Sequence, residues 1–225
     1  MTTRLQKALE KNDASELLSI QCENAWGTLL FDVFDKPGKK SKKDFFVCLD
    51  YGYKPSQDPC LDKFLTSPNL DIFLRYLREK NTDVPETFAF LMQNNYAWYT
   101  DYLGPLIGPD VARAKENNMS FLEVIWQNYQ EDSSFRSEDK IITTDLIKIT
   151  KKFIQKGFPV ERDGARVLAV MKKTIDELSY NQSVHVNKLR DFVNDFEVLF
   201  VASQKKEMLD KINTKKSFNK NPRKM

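Results

Sequence analysis

One phrase recurs along this chain and limits what it can fold into. An amphipathic run ends at a glycine or asparagine, and a short extended tip follows. Residues 145–160 give the clearest copy, Asp-Leu-Ile-Lys-Ile-Thr-Lys-Lys-Phe-Ile-Gln-Lys-Gly-Phe-Pro-Val. Gly157 suits the position just past a helix end, because glycine enters the left-handed conformation at no steric cost. Pro159 then stops the helix from resuming. The same stops stand at Gly52, Asn81 and Gly108, in steps of 29, 27 and 49 residues up to Gly157. A chain punctuated in this way is expected to be all-α and built of helix pairs.

The pairs can be placed in order. Residues 4–10 and 14–20 form a helical hairpin, with Asp13 capping the second segment and Glu16 at the capping-box position. The next pair is residues 28–34 and 44–51, joined by a Lys-rich turn at 36–43. Asp58 and Pro59 open the third pair, and residues 70–80 are its second helix. Pro85 opens the fourth pair. Its second helix, 98–107, is bent by Gly104-Pro105 and ended by Gly108-Pro109. The fifth pair is 121–129 and 144–156, with a polar insertion at 130–140. Two longer helices, 164–178 and 186–208, follow. Residues 213–225 read as a disordered basic tail.

These units resemble degenerate ankyrin repeats, whose unit is a β-turn and two helices with a T-P-L-H-x-A signature. Gly27-Thr28-Leu29-Leu30-Phe31 resembles that signature, as does Ser120-Phe121-Leu122-Glu123-Val124 more distantly. The helix-then-tip phrase is matched at residues 78–84 and 155–160. The resemblance implies a solenoid of stacked helix pairs over residues 1–178, a C-terminal capping helix over 179–212, and the tail at 213–225. Neighbouring pairs in such an array share one continuous core. It further implies a non-enzymatic module that binds a protein partner through tips and inner helices. The tip residues are Trp26, Tyr53, Lys54, Asp83, Asp110 and Arg162. Trp98 and Tyr99 add an aromatic surface of the kind favoured at interfaces. Worn repeats with Lys, Asn and Phe usage of this kind are similar to ankyrin proteins of intracellular bacteria that act in a host cell.

Composition narrows the alternatives. The chain is 41% hydrophobic and 30% charged, which is ordinary for a protein with a real core. Seven glycines and no glycine-rich loop argue against a phosphate cradle. His185 is the single histidine, and Cys22, Cys48 and Cys60 lack metal-ligand spacing, so neither a metal nor a cofactor is expected. An odd count of scattered cysteines fits a reducing, cytoplasmic compartment, and neither a membrane span nor a leader is legible. No catalytic residue can be named. The enzyme alternative places a site near the 130–140 insertion. Net charge is +3, of which residues 205–225 carry +6, leaving −3 for the first 204. The basic tail therefore offers a third reading, contact with nucleic acid or anionic lipid. The chain is expected to be a monomer.

Overall fold

The computed structural model describes residues 4–27, 29–36, 38–58, 60–64, 68–80, 84–93, 104–131, 139–178 and 184–218. Over these residues the protein is all-α, apart from one short hairpin. It divides into two compact units, Met1–Leu106 and Ile107–Met225, a division that the sequence analysis did not place. Among the described residues no helix is long and apolar enough to cross a membrane.

The first unit opens with α1 (Arg4–Lys11) and α2 (Ala14–Cys22), which pack as a hairpin. Asp13 caps α2 by accepting the Glu16 N–H at 3.1 Å. Arg4 bridges the pair, donating to Glu16, to Glu23 at 2.6 Å and to Ser19 at 2.8 Å. Hydrogen bonds from Arg4 first, and second from the Ser19 hydroxyl, which donates to Glu23 at 2.8 Å, hold the Glu23 carboxyl down at about 2. Next come α3 (Leu29–Phe34), α4 (Lys39–Asp50), α5 (Leu61–Phe64), α6 (Leu70–Lys80) and α7 (Val84–Gln93). The core here is aromatic. Phe34, Phe45, Phe64 and Phe73 are fully buried, and their ring centroids lie 5.3–6.0 Å apart, mostly edge to face. Such pairs add to the stabilisation from burial alone.

α4 begins at Lys39, so the lysines expected in a turn over 36–43 largely occupy a first helical turn. Gly38 therefore stands at a helix start rather than in a loop centre. Gly38 is the N-cap, and Ser41 Oγ donates to the Lys36 carbonyl at 3.1 Å. Lysine is also a good helix former.

The second unit contains α8 (Pro109–Arg113), β1 (Lys115–Glu116), β2 (Met119–Ser120), α9 (Phe121–Glu131), α10 (Asp139–Gln155), α11 (Val160–Leu178) and α12 (Val184–Phe218). α9 packs on α10 and on α11, and α12 packs on α11 and on α10. Trp126 of α9 is fully buried and its indole N–H donates to Thr150 Oγ1 of α10 at 3.1 Å. Gly164 lets α11 and α12 approach closely, since a Cβ there would fall 2.9 Å from the Phe200 ring.

Three expectations need correction. Gly108 does not end a helix: it is the extended N-cap of α8, at φ −112°, because Pro109 fits a first helical turn. The polar insertion is shorter than 130–140, since α9 runs to Glu131 and α10 starts at Asp139. The tail is not disordered from residue 213, since α12 is helical to Phe218. Asn81 lies outside the described residues.

Candidate functional site

The helix ends are built by one hydrogen-bond pattern. At Gly157 (φ +89°) the glycine N–H donates to Ile154 O at 3.1 Å and the Phe158 N–H to Phe153 O at 2.9 Å. At Gly52 (φ +86°) the partners are Leu49 O at 3.1 Å and Cys48 O, from Tyr53, at 3.0 Å. This is the Schellman arrangement, which satisfies carbonyls that a helix end leaves free. Asn12 and Asn24 repeat it with asparagine in the left-handed position.

In the second unit a tip of this kind stands beside a hairpin. Lys115 pairs with Ser120 and Glu116 with Met119 across the turn Asn117-Asn118, both at positive φ. Consecutive left-handed residues are what a tight hairpin turn requires, and asparagine tolerates them. Ser120 then caps α9, its Oγ accepting the Glu123 N–H at 3.2 Å. Arg113 Nε donates to the Gly157 carbonyl at 3.2 Å, which ties the end of α8 to the next tip.

Asp163 lies at the foot of this cluster, 2% exposed. Lys115 Nζ donates to its Oδ1 at 2.8 Å, and Arg162 donates to its Oδ2 at 2.7 and 3.0 Å. Arg166 Nη2 reaches Oδ1 at 3.4 Å. Burial pushes this carboxyl up. The bonds from Arg162 and Lys115, with their charges, outweigh burial and hold it below the usual carboxylate range. Glu123 is the second buried carboxylate. Its Oε2 has no hydrogen bond and lies 3.5 Å from Arg166 Nε. The carboxylates are buried, while Lys115, Arg162 and Arg166 are about a third to a half exposed. The cluster can present cations in fixed positions. Asp163, held ionised, is a poor proton donor near neutral pH.

The residues expected at tips are distributed unevenly. Arg162 belongs to this cluster, and Asp110 lies half-buried in the first turn of α8. Lys54 is exposed and precedes a 3-10 turn over Pro55–Gln57. Trp26 and Tyr53 are not tip surfaces. They are buried and pack edge to face with centroids 5.6 Å apart. The Tyr53 hydroxyl donates to buried Asp58 at 2.7 Å. A large ring next to a tip glycine is drawn into the core by its apolar area. Asp83, Trp98 and Tyr99 lie outside the described residues. Sequence reasoning missed Arg113, Lys115, Glu123, Asp163 and Arg166. The signal for them was Asn117-Asn118 followed by the capping box Ser120-x-x-Glu123.

A cavity of about 340 Å³ in the first unit is lined by Leu5, Glu10, Asp32, Asp35, Lys40 and Asp44, among others. Burial raises the Asp44 carboxyl, against the pull of Lys40 and Lys43. Among the described residues no group of three His, Cys, Asp or Glu could hold a metal. Burial pushes the Cys48 thiol up to about 12, which makes it unreactive. Comparison with protein-family models, with curated proteins and with solved structures finds no match.

Proposed function

We propose that the chain is a non-enzymatic binding module of ankyrin-like helix pairs, stacked as a solenoid, and that it holds a protein partner through the tip edge of its second unit. The observation that carries this reading is the bracing of the Gly157 tip by the end of α8 and the hairpin that follows it. Arg113 grips the Gly157 carbonyl and Lys115 grips Asp163, 44 and 48 residues away. Braced side chains lose less freedom on binding than free ones, so a partner meets a preorganised surface. The packing of α9 on α11 and of α10 on α12 supports the reading, since consecutive pairs of a repeat array pack first helix on first and second on second. Lys115, Glu116, Arg162 and Arg166 supply the contacts of this edge, with Asp110 at its margin. The resemblance to effectors of intracellular bacteria makes a host-cell protein the partner to seek first.

The test has two stages. Affinity capture from eukaryotic and bacterial lysates identifies a partner, and calorimetric titration then compares the parent with Lys115→Met and Arg166→Gln. Each variant should weaken binding by roughly ten-fold, about 1.4 kcal/mol, while thermal unfolding confirms that the fold is kept. Unchanged affinity in both variants overturns the tip reading.

A further inference from the structure

α12 carries two apolar faces. Val186, Leu189, Val193 and Phe196 are buried and form the face within the unit. At 3.6 residues per turn, Val198, Val201, Ala202, Met208 and Leu209 fall on a different stripe, rotated well away from that face. They are exposed, Val198 by 70%, Met208 by 62% and Leu209 by 59%. Five of the seven large hydrophobic side chains exposed among the described residues lie within residues 198–209 of this helix. The unit's own core does not account for them.

The end of α12 also outruns its neighbour. Gln204 Nε2 donates to the Glu161 carbonyl in the first turn of α11, and Phe200 packs over Gly164. The helix continues to Phe218, about a further 14 residues, or ~20 Å at 1.5 Å each. Lys205, Lys206, Met208, Leu209 and Lys211 on this projection are all exposed. A lone helix of that length is marginal in water, so a surface that covers it adds to its stability.

We infer that this projecting segment docks on an anionic lipid surface, its apolar stripe in the interface and its lysines at the headgroups. Charge argues for that occupant. Residues 205–225 contain eight Lys or Arg against Glu207 and Asp210. The two acids fall on the side of the helix away from the stripe, and Glu207 is paired to Lys211 at 2.6 Å. Lys205 lies within the stripe, between Val201 and Leu209. A lysine there can lay its stem along the apolar boundary and lift its ammonium to a phosphate. A second copy of this chain fits poorly, because a two-fold pairing centred on the stripe sets Lys205 against Lys205. Nucleic acid has no use for Val198, Val201, Met208 and Leu209 together. One face of the helix is already covered near Gln204, so a flat boundary suits the remaining face better than a groove that must wrap it.

The test is flotation of the full chain with phosphatidylcholine vesicles, with and without phosphatidylserine. Binding is expected only with the anionic lipid, falling steeply as salt rises. Val201→Asp with Leu209→Asp should reduce it at least about ten-fold, since charges replace apolar anchors. Lys205→Glu with Lys206→Glu should do the same. Both double variants change exposed positions, and circular dichroism should show the parent's helix content. Equal binding to both vesicles, no binding at low salt, or parental binding by the stripe variant overturns the inference. So does a dimer in sedimentation equilibrium that the stripe variant abolishes, which would assign the stripe to a second copy. The tip cluster is untouched by these variants, so this result is separate from the partner measurements above.

Discussion

The two units contain the same local phrase and shift its buried carboxyl in opposite directions. In the first unit Gly52 is followed by buried Tyr53 and, five residues later, by buried Asp58. In the second, Gly157 is followed by buried Phe158 and, five residues later, by buried Asp163. Backbone hydrogen bonds at the two glycines are the same. The aspartates differ in company. Asp58 receives a neutral hydroxyl from Tyr53 and backbone N–H groups from Cys60 and Leu30, and burial wins, raising its carboxyl. Asp163 receives Arg162 and Lys115, and its carboxyl is lowered despite burial. A recurring backbone turn therefore fixes where a carboxylate sits, and the donors brought to it set the direction in which its pKa moves.

The largest test concerns the cores. Phe73→Ala should cost about 3–5 kcal/mol, and Phe153→Ala in the second unit somewhat less within the same range. The reason is that Phe73 meets three buried rings, and edge-to-face pairs add to area burial. Denaturant-dependent amide exchange reads each unit by itself. A smaller loss for Phe73→Ala would remove the claim that the first unit depends on ring packing.

The next test concerns the aspartates. Asp163→Asn should cost about 1–3 kcal/mol near neutral pH, the range for losing hydrogen bonds to charged groups. Asp163 is lowered in the folded state, so its contribution is present above the unfolded value of about 3.9 and is lost as pH falls through the folded value. The gap between parent and Asp163→Asn should therefore close in acid. Asp58 is raised, so the parent should gain on Asp58→Asn as pH falls through the raised folded value. Stability curves for the three proteins between neutral pH and pH 3 decide it, and parallel behaviour of the two variants would break the comparison.

Smaller effects test the shared phrase. Gly52→Ala and Gly157→Ala should each cost about 1–2 kcal/mol, the penalty of a left-handed non-glycine residue. The new Cβ would sit 2.5 Å from Gln21 Nε2 at the first site and 3.2 Å from Arg113 Nη2 at the second. Both neighbours are ends of flexible side chains, so the backbone term should dominate and the two melting shifts should match. Smallest is Lys54→Glu, at an exposed position, with a change under about 0.5 kcal/mol. Arg162→Glu should exceed it clearly, because it sets a carboxylate against Asp163. Equal melting shifts for Lys54→Glu and Arg162→Glu would deny the Asp163 network any energetic weight.

Much of the fold was legible wherever the deciding bond is short-range. The caps at Asp13 and Asp58, the turns at Gly52 and Gly157, and helices such as Leu70–Lys80 follow from residues within one turn of each other. Less of the candidate site was legible. Arg162 is among the expected tip residues, whereas its partner Asp163 is one of many carboxylates near a helix start and has no local mark of its own. Nothing local distinguishes Lys115 and Arg113 from other surface cations. The Asn117-Asn118 turn was the missed local cue.

The sequence by itself determined most of the helices, the stops at Gly52 and Gly157, and the charge contrast between residues 205–225 and the rest. Those properties rest on propensity, capping and composition, each decided within a few residues. Only tertiary structure decided that Trp26 and Tyr53 face inward, that Asp163 is held by Lys115, and that α12 keeps a second apolar stripe in water. Burial and charge state depend on groups brought together from tens of residues away. Spacing along the chain does not fix those distances, because they are set by how the helices pack.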